Sequence, residues 1–474
     1  MHHVLILQTV PGNLTRYGLS QIINHLLALD PPRPFDFLIK DELLRRSLHH
    51  HMAAHALSTE AVLEIEYVPA VLPPTPKEQH PHDDWIACIT PSPSPSVIAV
   101  GGYDGIVQLI PATDKTATHS QTRFKATTKG AVKAIATIPS STTTATNNTL
   151  VLVTGGDDRR LRVWSIRGQA QLLAISSTPN EHGHSKSISS IAVNPTTHNV
   201  IASAGWDGRI AFWNIPHQRD DAGDAGDENG TKSNRNNNNN KTKKKRKTEG
   251  GAVGGVHDQE SIDIDGSNKD NVSQLEATHA ITVSPNYCVS SLSWPTPSTL
   301  IAASWDHTVR VYDPELSSSI TSVALIDSYS HSKAIYCVAS HAPSHASQHP
   351  QMIAFGGAEK TLRLWDRRAP PTTINGMALA AQADNKVGIK SRSSHRGWIS
   401  SLAWHPTSPH HLASGSYDGT VKVWDIRAPV PLHTLQQQGD SNSKVLSVAW
   451  GGGGEEVVWG GEDRVLHRFA VSIV

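Results

Sequence analysis

From Asp83 to the C-terminus, apolar residues fall in short runs that alternate with polar ones, and each run stops at a cluster of Gly, Ser or Asp. Alternation at period two predicts half-buried β-strands joined by tight turns. One unit recurs: small residues, a turn acid, then an apolar strand. It reads Gly-Tyr-Asp-Gly at 102–105, Gly-Asp-Asp-Arg at 156–159, Gly-Trp-Asp-Gly at 205–208 and Ser-Trp-Asp-His at 304–307. It continues as Gly-Ala-Glu-Lys at 357–360, Ser-Tyr-Asp-Gly at 416–419 and Gly-Glu-Asp-Arg at 461–464. The turn acids are Asp104, Asp158, Asp207, Asp306, Glu359, Asp418 and Asp463. Their separations lie near one repeat of roughly 40–55 residues, the period of propeller blades. Seven such turns predict seven four-stranded sheets around a central channel. The gap from Asp207 to Asp306 is about double. It holds residues 217–278, rich in Asn, Lys, Gly and Asp, which read as a disordered basic insertion between blades three and four.

Six positions after the acid a Trp or Tyr follows in five units, Trp164, Trp213, Tyr312, Trp365 and Trp424, while blades one and seven lack the closing Trp. Two units are fuller: His184, Ser203, Asp207 and Trp213 match His395, Ser414, Asp418 and Trp424 in order and spacing. Each set can form a chain of hydrogen bonds from indole through hydroxyl and imidazole to carboxylate, satisfying buried polar groups. Ser, His and Asp also make nucleophilic triads, but a nucleophile occurs once; a set repeated in register reads as a structural tetrad. The last blade has three strands, at 445–450, 456–460 and 465–471, so residues just before Asp83 are expected to supply its outer strand.

Residues 1–68 lack the repeat. Leu19, Ile22, Ile23, Leu26 and Leu27 follow helical spacing within 14–29, ahead of Pro31-Pro32. Phe35–Ile39 predicts a strand, Glu42–Leu48 a short helix or turn, and Val62–Tyr67 a strand. A helix on a small sheet in a segment of this size suggests a ubiquitin-like α+β domain. Residues 69–82, rich in Pro, read as a linker and the strand that closes the propeller at 83–474.

The repeats, with Leu-Trp-Asp at 364–366 and Val-Trp-Asp at 423–425, resemble the WD-repeat family. The fold class is therefore an all-β seven-bladed WD-repeat β-propeller preceded by a small α+β ubiquitin-like domain. The front segment narrows the resemblance through Arg16-Tyr17-Gly18-Leu19-Ser20, Pro34-Phe35-Asp36-Phe37-Leu38-Ile39, Leu43-Leu44-Arg45, Leu57-Ser58-Thr59-Glu60 and Val62-Leu63-Glu64-Ile65-Glu66-Tyr67. It is similar to the ribosome-biogenesis WD-repeat proteins that form a trimer with pescadillo and the block-of-proliferation protein. The notchless proteins carry a related module, differently spelled. Family members begin with one more strand, so this module is expected to lack its first.

That resemblance implies a non-enzymatic assembly factor for the large ribosomal subunit, needed for pre-rRNA processing, without a cofactor, in nucleolus and nucleoplasm. It implies that the propeller binds the propeller of the block-of-proliferation protein, with pescadillo in the same trimer on the large-subunit pre-ribosome. It further implies that the ubiquitin-like domain docks on the metal-ion-dependent adhesion site of midasin, an AAA ATPase, where an acidic side chain completes the coordination of magnesium. Magnesium takes oxygen ligands, so one carboxylate on a loop tip suffices; the matching position is Glu60. Midasin would then pull the trimer off, with Pro69–Pro81 transmitting the force as a semi-rigid spacer.

Charge and composition add limits. Lys+Arg and Asp+Glu both total 42, so no global charge points to nucleic acid or a membrane. Locally, Lys243, Lys244, Lys245, Arg246 and Lys247 read as a nuclear localisation signal, with RNA phosphate contact as the other option. Cys88, Cys288 and Cys337 form no CxxC pair and read as buried apolar residues in a reducing compartment. No apolar stretch approaches the ~20 residues of a membrane span, and the N-terminus has no signal-peptide pattern, so a soluble intracellular protein is expected. His49-His50-His51 and His410-His411 are expected in surface loops, with no metal of the protein's own. A rival reading is a substrate receptor of a cullin-RING ubiquitin ligase, from Trp-Asp-x-Arg at 365–368 and 424–427. A propeller enzyme would need a constellation that is not repeated, and the sequence offers none.

Overall fold

The computed structural model describes residues 10–40, 42–58, 62–92, 97–111, 122–138, 149–167, 169–176, 183–215, 272–314, 323–341, 352–367, 373–374, 377–378, 389–393, 395–436 and 443–473. From residue 75 onward the described chain builds seven sheets of four or five strands, antiparallel but for one added strand. Their inner strands are Ile86–Ser92, Val132–Ile138, Ile188–Val193, Val289–Thr296, Ile335–Ser340, Ile399–Trp404 and Val445–Gly451. Each inner strand packs on the next, and the seventh packs on the first. The sheets therefore close into a seven-bladed propeller, and the apolar cores lie between adjacent blades. Among the described residues no helix is long and apolar enough to cross a membrane.

The recurring acid has a local reason. Asp104, Asp158, Asp207, Asp306, Asp418 and Asp463 each accept the backbone N–H two residues on, at 2.9–3.3 Å. That bond stabilises a turn in which the following residue has positive φ. Gly105, Gly208 and Gly419 adopt it freely, whereas Arg159, His307, Lys360 and Arg464 hold the same conformation in the other four blades, at a cost of about 1–2 kcal/mol each.

The insertion ends earlier than expected. Ser273–Leu275 pairs in parallel with Gln169–Ser176 as a fifth strand of blade two, and Ala277–Thr282 is the outer strand of blade three. Leu275 is buried in the core between those blades. A single buried leucine among polar neighbours gives no periodicity to read.

Blade seven takes its outer strand from before Asp83, in two pieces. β4 (Thr75–Pro76) and β5 (His80–Pro81) pair antiparallel with Val465–Ala470. Lys77 N–H donates to the Arg468 carbonyl at 2.8 Å, and its ammonium reaches Glu456 at 3.3 Å. Glu456 also holds the Arg468 guanidinium at 3.1 Å, and the two side chains are 1% and 4% exposed. Removing one member of a buried pair strands the other charge. Glu456→Ala is expected to cost about 3–5 kcal/mol of unfolding free energy. Lys77→Ala, whose ammonium is partly in water, should cost under about 1 kcal/mol. Urea unfolding of both variants checks this, and equal losses would reject the buried-pair account.

The front module comprises α1 (Arg16–Leu26), β1 (Phe35–Ile39), β2 (Glu42–Leu43), α2 (Leu48–Ala54) and β3 (Glu66–Pro69), with sheet order β2-β1-β3. Two expected elements shift. The turn or helix at 42–48 is a two-residue strand followed by a helix that starts at Leu48, where Ser47 accepts the His50 N–H at 3.4 Å. The strand expected at 62–67 forms only at 66–69, where it finds a partner in Phe35–Leu38; Leu63 and Ile65 still pack on the module core. All of β1 is buried. Phe35, Phe37 and Ile39 face the module core with Leu19, Leu44 and Leu48. Leu38 packs with Leu43 against Ala428 of the propeller.

Candidate functional site

The two full repeats assemble as expected from the sequence. In blade three the Trp213 indole donates to Ser203 Oγ at 2.8 Å, His184 Nε2 meets the same oxygen at 2.7 Å, and His184 Nδ1 meets Asp207 Oδ1 at 3.1 Å. Blade six repeats it: Trp424 to Ser414 Oγ at 2.8 Å, His395 Nε2 to Ser414 at 2.8 Å, and His395 Nδ1 to Asp418 Oδ2 at 3.2 Å. Each carboxylate also caps backbone N–H groups of the loop before the inner strand, Ser185 in one case and Arg396 in the other. The chain of bonds thus ties second strand, third strand and preceding loop into one unit.

The other blades hold the same acid by a different partner. A basic residue four positions on pairs with it: Arg162 with Asp158 at 2.6 Å, Arg310 with Asp306 at 2.7 Å, Arg363 with Glu359 at 2.7 Å and His467 with Asp463 at 2.6 Å. Asp104 of blade one lies 3.6 Å from Arg123. The signal for these pairs is the acid-to-base spacing of four in the sequence. Blade seven also differs from expectation, because Phe469 stands six residues after Asp463 and stacks on Trp459 with ring centroids 4.9 Å apart. The indole has moved to the second strand.

Several histidines are held neutral by burial. It pushes His411 and His82 down from 6.5 to about 4, and lowers His395 despite its bond to Asp418. As pH falls, the unfolded chain takes these protons first, so stability is complete above 6.5 and is lost as pH drops from there towards about 4. Burial works against the Asp418 carboxylate, but bonds from His395, Thr420 and Arg396 N–H hold it well below the usual range, which also favours loss in acid. The melting temperature is expected to fall across pH 6.5 to 4, and His82→Gln with His411→Gln should flatten the fall. A wild-type profile level across that window would contradict neutral buried imidazoles.

The module sits on blade six. Leu43 N–H approaches the Arg427 carbonyl at 3.5 Å, and His433 Nε2 meets the Val71 carbonyl at 3.2 Å. Val71 packs into the core of blades six and seven. The stretch expected to be a spacer is thus bound along much of its length. Arg427, the arginine of one Trp-Asp-x-Arg pattern, grips Asp425 through Nε and Nη2 at 3.0 and 2.7 Å. Arg368, the other, lies outside the described residues. Glu60 lies outside them too, as do Lys243, Lys244, Lys245, Arg246, Lys247 and residues 1–9. The described residues nearest Glu60, Ser58 and Val62, are exposed.

Of the histidine clusters expected in loops, only His410 lies in a turn. His49, His50 and His51 lie on α2, and His411 begins a strand and is buried, with Nδ1 2.7 Å from Ser408 Oγ. Among the described residues no group of three or more His, Cys, Asp or Glu could hold a metal ion.

Polar residues committed to holding blades together, on a closed ring with a small module seated on one blade, define a scaffold of the WD-repeat class. The WD domain, G-beta repeat, matches residues 75–110, 119–165, 176–214, 278–313, 318–366 and 388–425, and the NLE (NUC135) domain matches 8–52. The chain belongs to the WDR12/YTM1 family of ribosome biogenesis proteins. It is 37% identical to the ribosome biogenesis protein WDR12 homolog of Chlamydomonas reinhardtii, over 97% of this chain and 92% of that one. The homolog of Oryza sativa subsp. japonica is 32% identical over 98% and 92%, and ribosome biogenesis protein YTM1 of Eremothecium gossypii 30% identical over 96% and 91%. The seventh sheet, Val445–Ala470, lies beyond the matched repeats and is defined by its strand pairing.

Proposed function

We propose that the protein is a non-enzymatic assembly factor for the large ribosomal subunit, acting in nucleolus and nucleoplasm. One observation carries this: relatives named as ribosome biogenesis proteins align over nearly the whole chain, front module included. The propeller holds the trimer with the block-of-proliferation protein and pescadillo on the pre-ribosome. The module offers the Glu60 carboxylate to the magnesium of midasin, whose ATP-driven pull removes the trimer. Ser58 and Val62, the described residues that flank Glu60 in sequence, are exposed, which suits contact with a partner there. The basic run at 243–247 directs import.

Affinity purification of the full chain, with identification of bound proteins and RNA, tests this. Large-subunit precursor RNA should co-purify with both trimer partners. Recovery of a cullin adaptor in their place would overturn it.

A further inference from the structure

Side-chain bonds join the inner strands of neighbouring blades at every junction but one. The third residue of the inner strand is a serine in blades three, four, six and seven, and its hydroxyl accepts an N–H from the next inner strand. These bonds run from Leu292 to Ser190 at 3.0 Å, Val338 to Ser291 at 3.3 Å, Val448 to Ser401 at 3.1 Å and Ile89 to Ser447 at 3.0 Å. Blades one and five use thiols, Cys88 donating to the Val132 carbonyl at 3.5 Å and Cys337 to that of Ile399 at 3.6 Å. Between blades two and three the described inner strands share no such bond. The positions there are Lys133 and Ala134; the lysine turns back over the Tyr103 ring of blade one, 3.5 Å from its centroid, and the alanine has no polar group. The side-chain bonds that do tie these blades lie outside the inner strands and are exposed: Ser187 Oγ to Asp157 Oδ1 at 2.7 Å and Arg159 Nη1 to the Ser185 carbonyl at 3.4 Å.

The same junction is crossed from outside. Ser273–Leu275 lies in parallel on the outer strand of blade two, in register with Ala174, Ile175 and Ser176. One residue further on, Ala277–Thr282 is the outer strand of blade three. A single stretch of chain therefore spans both edges, and among the described residues no other blade carries a strand outside its outer one. Leu275 is 1% exposed and shares the core between the two blades with Val163, Ala174, Ala211 and Trp213. A few ladder bonds at an edge contribute little net free energy, so the buried leucine is what holds this strand down. Residues 216–271 start just beyond the third strand of blade three and end just before this strand, so a load on that insertion enters the ring at this junction.

We propose that Ser273–Leu275 is a clasp over the one junction whose inner strands are not bonded to each other, and that lifting it loosens blades two and three while the other five stay closed. Native-state hydrogen exchange on the full chain, read by mass spectrometry blade by blade, tests this. Leu275→Ala should speed exchange in the inner and second strands of blades two and three by about thirtyfold or more, and elsewhere by less than about threefold. Should the alanine variant not fold, Leu275→Val, one methylene smaller, keeps the test with a contrast of about fourfold. Leu435→Ala truncates a buried leucine on the outer strand of blade six, where Ser400 and Ser401 bond the next inner strand, and should give no such contrast between blades. Ala134→Ser supplies the missing hydroxyl. By register with the other blades it meets the Ile191 N–H, so in the Leu275→Ala background it should recover about tenfold of the lost protection in the peptide holding Ile191. Uniform acceleration over all seven blades, unchanged exchange in blades two and three, or an equal contrast in Leu435→Ala would overturn the clasp. So would an Ala134→Ser chain that folds and recovers no protection.

Discussion

Trp424→Ala is expected to destabilise the propeller by about 3–5 kcal/mol, the usual cost of deleting a buried indole. The side chain is 1% exposed and packs between blades five and six with Leu362, Leu364 and Leu412. Its loss also takes away the donor that fixes Ser414, the hydroxyl on which His395 and through it Asp418 depend. Trp424→Phe keeps most of the apolar volume and drops only the N–H, leaving Ser414 short of a partner at about 1–3 kcal/mol. The same substitution in a His395→Ala background should cost less, because the chain of bonds is already broken. Urea unfolding of the four proteins measures the coupling. Strict additivity would mean that the four side chains act as separate packing units.

Glu60→Ala should abolish midasin binding while the melting temperature stays within about a degree of wild type, as expected for a residue whose role is to meet a partner. Glu60→Asp should fail as well. Magnesium demands near-octahedral geometry with oxygens at about 2.1 Å, and a carboxylate one methylene short falls outside that distance. Pull-down with the midasin adhesion domain, with and without a chelator, gives the readout. Undiminished capture by a folded Glu60→Ala protein removes the metal contact, and capture that survives chelation removes the role of magnesium.

How much was legible beforehand follows from how local each signal is. The Gly-x-Asp-Gly turns encode themselves within four residues, because Asp bonds its own backbone and the next residue turns left-handed; hence the seven sheets fall where the turns predict. The tetrads were equally readable, since each member recurs at fixed spacing in two blades. What was missed depends on distant partners. Ser273–Leu275 is a strand only because blade two offers it an edge, and Glu66–Pro69 only because β1 lies beside it. The seat of the module on Ala428 and Leu432 joins residues nearly the whole chain apart, and no pattern near Leu38 announces it.

The closing strands give the molecule a mechanical hierarchy. β4 and β5 are at once the last staves of the ring and the root of the tether from the front module. Tension applied to the module, once it lifts from blade six, arrives at this joint and nowhere else in the hoop. Lys77, Glu456 and Arg468 rivet it. If a motor pulls on the module as proposed, the grip on the cargo must yield at a lower load than the rivet; otherwise the pull would unfasten the barrel and leave its contents behind.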